Sequence, residues 1–332
     1  MSRTLRLSTL GAVILVALMV LSLLLGSRTI PLGEVVQAIL AGPAAVEGTG
    51  TEHVVWNLRV PRTVLAVAVG ASLGMAGAFA QAWTRNPLAD PGFIGVTSGA
   101  AFAVALGMFL GWGALGGRIT LALVGAALAS FIVLMVSRVS LDPLTVILVG
   151  VGVSAALQAV TTALALSSRG VLDGMRQWTV GSTMGRGGED IAVAWGGLLL
   201  GGLLAALLAR PMDLLSMGEE ASTALGASPD RIRLGAVAVV VILAGTATAA
   251  VGPMVFVGFA APHIVRTLLG PSLSTTLFPT ALMGGGLALA ADIIGRLIMR
   301  PGELEMSIVM AVVGAPMIVW AVRHYRSLGV GQ

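Results

Sequence analysis

Two adjacent glutamates, Glu219 and Glu220, stand in a polar stretch, "MDLLSMGEEASTALGASPDRIR" (212–233), between two long apolar runs. Carboxylates placed there face either lipid headgroups or a partner protein. The other reactive residue types are sparse. The three histidines (His53, His263, His324) are scattered, whereas zinc needs three or four converging ligands. They read as isolated loop or helix-end residues, so no metal site is expected. Cysteine is absent, which excludes disulfides and thiolate sites. All 19 strongly basic residues are arginine. A nucleotide-binding P-loop requires Gly-Lys-Ser/Thr, so this chain binds no ATP as a cofactor. Any ATP used is hydrolysed by another chain. No carboxylate lies mid-run, Asp292 coming nearest. Ion-coupled pumps generally need intramembrane ionisable groups, which weighs against the rival class, a secondary transporter.

The stretch around the glutamates carries helix signals. Ser216 with Glu219 three residues on has the form of a capping box. Glu219 and Glu220 then occupy the first turn, where the helix dipole favours acids. Gly226 suits the helix end, and Ser228-Pro229-Asp230 suits the start of the next helix. Met217, Ala221, Ala224 and Leu225 form one apolar stripe. Helices lying in headgroups usually carry Lys or Arg on the polar face. This one carries two glutamates, which favours docking in a groove on another protein.

The chain around that helix is 57% hydrophobic and 10% charged over 332 residues, with a mean hydropathy of +0.98. About ten hydrophobic runs reach or approach membrane-spanning length: 9–27, 62–82, 92–110, 118–137, 144–166, 191–209, 231–250, 254–269, 275–295 and 306–323. An unpaired backbone is too costly in lipid. The expected fold is therefore an all-α polytopic membrane protein, about ten transmembrane helices in one bundle. The first run lacks a small-x-small cleavage site and reads as a retained span. Pro253 and Pro262 mark the short eighth run as tilted or broken. Gly70 with Gly74, Gly197 with Gly201, and Gly284 to Gly286 suit close helix approach. An even number of spans puts both termini on one side. The basic flanks Arg3, Arg6, Arg323 and Arg326 place that side in the cytoplasm. Arg28, Arg59, Arg62, Arg118, Arg169, Arg176, Arg186, Arg296 and Arg300 then lie outside, so the positive-inside rule barely decides and the outer arginines need another role. Ser154, Gln158, Thr161 and Thr162 share one side of the run 144–166. Such a stripe is helix-packing glue or pathway lining.

Longer motifs carry a resemblance. "LRVPRTVLAVAVGASLGMAGAFAQAWTRNPLADPGFIGVTSGA" (58–100), "GPMVFVGFAAPHIVR" (252–266) and "ADIIGR" (291–296) resemble the FecCD-type permeases of ABC importers, as does the polar loop with its Glu-Glu-Ala at 219–221. The likeness runs from about residue 55 to the C-terminus. It implies one transmembrane permease domain over 1–332, working as a dimer with a second copy or a similar paralogue. Two ATPase subunits dock on the coupling loops (about 212–228), through Met217, Glu219, Glu220, Ala221, Leu225 and Gly226. An extracytoplasmic binding protein docks on Arg59, Arg62 and Arg296. Arginine forks suit carboxylates; for Arg296 the alternative is an internal pair with Asp292, four residues earlier. The loop before the fifth helix forms the cytoplasmic gate in relatives, which points to Leu141, Asp142 and Leu144. The fifth helix lines the pathway, which points to Ser154, Gln158 and Thr161. Relatives read Glu-Leu-Pro-x-Gly before the last helix; here it is Glu303-Leu304-Glu305-Met306-Ser307. The resemblance implies a bacterial cytoplasmic-membrane importer of a metal chelate, an Fe(III)-siderophore first, cobalamin or haem as alternatives, with membrane lipid around it and no nucleic-acid partner.

Overall fold

The computed structural model describes residues 3–46, 49–112, 115–137 and 143–327, with backbone alone at 45, 115–116, 143, 221 and 318–327. Every regular element among the described residues is helical. In chain order these are α1 (Arg3–Leu24), α2 (Leu32–Ala41), a turn α3 (Thr51–His53) running through π-helical Val54–Arg59 into α4 (Val60–Thr84), α5 (Val96–Phe109), α6 (Leu115–Val136) and α7 (Pro143–Ser167). They continue with α8 (Arg169–Thr179), α9 (Gly188–Ser216), α10 (Glu219–Ala224), α11 (Pro229–Val251), α12 (Val257–Leu269), α13 (Leu273–Ile298) and α14 (Met306–Ser327).

Each hydrophobic run contains a helix, and among the described residues 7 of these are long and apolar enough to cross a bilayer. The run 92–110 is shortened. Asp90 accepts from the Gly92 N–H, a 3-10 turn fills Pro91–Ile94, and Gly95 sits at φ 83, so α5 starts only at Val96. The run 254–269 is short for a related reason. Residues 252–256 are non-helical, Phe256 sits at φ 68, and α12 begins at Val257 with Pro262 inside it. Among the described residues, α2, α3, α8 and α10 lie outside the runs. In α8, Val171, Met175 and Trp178 are buried while Asp173 and Arg176 are exposed, an amphipathic pattern in a segment of low hydropathy.

The core is organised around α4, buried along nearly its whole length and packed against α9, α11, α12 and α13. Glycines make this possible. A Cβ on Gly70 would overlap the Gly284 carbonyl of α13, and one on Gly77 would overlap the Gly258 carbonyl of α12. Backbones meet directly at these crossings, as small-residue interfaces in membranes allow. Neither carbonyl can swing aside as a side chain would. Gly284→Val is therefore expected to part α4 from α13 and destabilise the protein by about 3 kcal/mol, the upper end for overpacking. Thermal unfolding of the purified variant reads this, and an unchanged midpoint would contradict the contact.

Candidate functional site

At one end of the bundle, the stretch 212–228 connects α9 to α11. α9 continues past Pro211 to Ser216, so Ser216 ends one helix rather than capping the next. Its hydroxyl donates to the Asp213 carbonyl at 2.6 Å. The expected capping box with Glu219 is not formed. Gly218, at φ 116, turns the chain instead, and its carbonyl accepts from Ser222 N–H at 3.0 Å. Glu219 and Glu220 do open α10. Gly226, at φ 83, closes it, donating to the Thr223 carbonyl while Ala227 N–H donates to Ser222. α11 starts at Pro229 behind Ser228.

α10 presents its residues outward. Met217 is 68% exposed and Leu225 64%, and Glu220 and Ala224 are exposed. The side chain of Ala221 lies outside the described residues. Glu219 pairs with Arg233, whose other guanidinium nitrogen lies 3.5 Å from Asp230. Beneath α10 is a polar cleft of about 290 Å³ walled by Trp83, Arg85, Leu144, Ser216, Glu219 and Arg233. Leu144 therefore borders the same cleft as Glu219. Leu141 and Asp142 lie outside the described residues.

Two residues that the sequence reading missed tie this end together. Arg85, the left-handed C-cap of α4, donates to the Leu215 carbonyl at 2.9 Å. Asp213 caps the N-terminus of α13 from the last turns of α9. It accepts from Leu273 N–H at 2.6 Å, Ser274 N–H at 3.0 Å and the Ser272 hydroxyl at 2.9 Å. The cap is non-local, so no spacing in the sequence announces it.

The polar stripe of α7 divides. Ser154 accepts from Ser98 of α5 at 3.0 Å, and Thr161 is buried with its hydroxyl on the Leu157 carbonyl. Gln158 and Thr162 are exposed. At about 100° per residue, 154 and 161 nearly coincide while 158 and 162 rotate progressively away. Ser154 and Thr161 serve packing in this structure; Gln158 faces outward among the exposed Leu148 and Val151.

The opposite end holds a charged cluster. Asp292, its side chain fully buried, lies 2.8 Å from Arg62 and 2.7 Å from Arg296, and accepts from the Thr183 hydroxyl at 2.7 Å. Arg62 also pairs with Glu303, which accepts from Ser27 at 2.6 Å. Burial pushes the Glu303 carboxyl up, but the Ser27 and Arg62 hydrogen bonds and the Arg62 charge outweigh it and hold the group below its ordinary value. Arg59 and Arg296 turn inward. Arg59 donates to the carbonyls of Leu23, Leu24 and Arg28, and Arg296 to those of Ser22 and Leu25. These are the orphan acceptors at the end of α1, and their demand explains why the two arginines are only 4% and 2% exposed. Neither presents a free fork, contrary to the docking expectation, and Arg296 takes the internal pair with Asp292.

All three arginines nevertheless wall one pocket of about 360 Å³, together with Arg28, Arg186 and Glu303. Arg28 is exposed. Arg186 bonds the carbonyls of Ser182 and Val251, and burial, with nearby Arg118, lowers its pKa to about 10. The turn that departs from Glu-Leu-Pro-x-Gly has its Pro and Gly earlier, at Pro301 and Gly302. Leu304 N–H donates to Gly295, and the Glu305 carbonyl accepts from Ile308 and Val309 as α14 begins.

The described residues form a bundle of apolar helices with an exposed acidic helix at one end and an arginine-walled pocket at the other, the architecture of a membrane protein. Residues 14–324 match the FecCD transport family, and the chain belongs to it. It is similar to the ferric enterobactin transport system permease protein FepD of Escherichia coli K12, 39% identical over 308 residues covering 92% of this chain and 91% of that one. It is also similar to the vitamin B12 import system permease protein BtuC of Klebsiella pneumoniae, 33% identical over 95% of this chain and 93% of the relative. Among solved structures, a metal-chelate type ABC transporter in an inward-facing conformation superposes with a TM-score of 0.85 at 28% identity, covering 96% of this chain and 99% of that one. The chain is the permease subunit of an ABC importer; ATP hydrolysis belongs to a separate chain.

Proposed function

We propose that the imported substrate is an Fe(III)-siderophore, supported by the 39% identity to a ferric enterobactin permease over nearly the full length of both chains. The B12 permease likeness, over a comparable span, makes cobalamin the second reading. The working unit in this reading is a dimer with about ten spans per chain, one domain over 1–332, in a bacterial cytoplasmic membrane with both termini inside. The observation that carries the mechanism is α10. Two acids and the apolar Met217 and Leu225 stand exposed beside the cleft that Leu144 borders. Two ATPase subunits engage α10, one per permease, and supply the ATP chemistry. The binding protein delivers the chelate at the arginine-walled pocket, where its acidic side chains meet the exposed rim residue Arg28. Rim charges mainly steer association. Arg59 and Arg296 hold the floor.

Asp213 joins the two ends. Its carboxylate fixes the first turn of α13, and the far end of α13 carries Asp292 and Arg296. Movement of α10 reaches the mouth along α13 through this joint. Asp213→Ala is expected to cost about 1 kcal/mol in stability, as other lost caps do. The larger effect is on coupling: the importer hydrolyses several times more ATP per chelate moved. Equal losses of hydrolysis and uptake would show a mere folding defect.

The substrate is tested by uptake of radiolabelled iron, offered as a panel of siderophore chelates, in a strain lacking the gene. Loss of one chelate class, restored by the gene, supports the siderophore reading. Unchanged uptake across the panel, with labelled cobalamin uptake lost, replaces it by the second.

A further inference from the structure

We infer that the groove between α1, α12 and α13 holds one acyl chain of an acidic phospholipid whose headgroup rests on Arg3 and Arg6. α1 packs along α13 but stays exposed or half-buried over most of its length. Ser22, near its C-terminus, is its single buried residue among those described, hydrogen-bonded to Thr63 and Arg296. Beside α12 and α13, α1 borders a groove of about 270 Å³ with apolar walls. Leu7, Leu10, Ile14 and Leu18 form one wall; Leu268 and Leu282 stand opposite. Gly11 and Gly286 line it where α1 and α13 approach. The nearest side-chain atoms to a Cβ at either would be those of Leu282, at 3.5 Å, and Leu18, at 3.7 Å.

The dimensions suit one leaflet. From Leu7 to Leu18 the helix rises about 16 Å at 1.5 Å per residue, close to half of a hydrocarbon core of about 30 Å. Apolar walls within the bilayer leave no polar partner for water. The charge lies at one end. Arg3 and Arg6 precede Leu7 and Leu10 by four residues, on the same side of the helix. Both are exposed, none of the ion pairs among the described residues includes them, and no acid lines the groove. Arginines beside a membrane surface attract acidic headgroups. A second copy of the chain would not match a groove one leaflet long with cations at one end.

The test uses the purified full chain and native mass spectrometry, with phosphatidylglycerol and phosphatidylcholine of the same acyl chains added in equal amounts. Retention of one phosphatidylglycerol per chain, favoured roughly 10-fold or more over phosphatidylcholine, is expected from two surface arginines. Arg3→Gln with Arg6→Gln, at exposed positions that leave folding intact, should bring the preference to near equality. Gly286→Phe should fill the groove and release both lipids. Equal retention of the two lipids by the unaltered chain would overturn the inference, as would an unchanged preference in the double glutamine variant. Release of the lipid on dimerisation, with Gly286→Phe breaking the dimer, would assign the groove to a second copy.

Discussion

Replacing Glu219 and Glu220 together by lysine is expected to abolish transport while the protein still inserts and folds. The structure separates the two effects. The Glu219–Arg233 pair is largely solvent-exposed on the glutamate side, and such pairs contribute about 0–1 kcal/mol. The fold therefore tolerates its loss. A partner surface built for carboxylates does not tolerate lysine. Like-charge juxtaposition costs several kcal/mol, so affinity for the ATPase should fall roughly 100-fold. Co-purification of the ATPase with the permease reads the binding, and uptake reads the consequence. A variant that keeps both would show that α10 is not the docking helix. A secondary transporter would tolerate the change.

The second large effect is on stability. Asp292→Ala should lower the unfolding midpoint of the purified protein by roughly 10 °C. Removing one partner of a buried ion pair costs about 3–5 kcal/mol, and each kcal/mol moves a chain of this size class by a few degrees. Here a single carboxylate serves Arg62, Arg296 and Thr183. Its loss leaves Arg296 held by α1 and by the backbone carbonyl of residue 292, and Arg62 by Glu303. Because Arg296 and Arg59 also close the end of α1, the arginine-walled pocket should loosen, and binding-protein docking should weaken with it. Asp292→Asn, which keeps the shape and an acceptor for Thr183, should fall between the two. A midpoint unchanged in Asp292→Ala would mean that the cluster contributes nothing to stability.

Hydropathy made the helices legible, because a spanning helix must be apolar over most of its length. It erred where local chemistry overrode composition. The Asp90–Pro91–Gly95 turn trimmed α5, and amphipathic α8 carried too little hydropathy to register. At the coupling end, Gly226 and Pro229 were readable from local spacing. The stripe was drawn on too long a helix, since α10 spans only Glu219–Ala224 and leaves Met217 and Leu225 outside it, and Ser216 was misassigned because α9 continues through Pro211. Asp213 and Arg85 act on partners 60 and 130 residues away along the chain, respectively, beyond any local pattern. At the mouth, the four-residue spacing of Asp292 and Arg296 offered their pairing only as the alternative to docking. The burial of Arg59 did not show, because it depends on where α1 ends in space.

The most direct test of the central claim, that ATP hydrolysed by a partner drives this permease, is uptake of labelled iron chelate under two separate treatments. One depletes cellular ATP while leaving the proton gradient; the other collapses the gradient while ATP is maintained. ATP depletion is expected to stop uptake that depends on this gene, and gradient collapse to leave it. Uptake that survives ATP depletion and stops with the gradient would contradict the claim and point to an ion-coupled carrier.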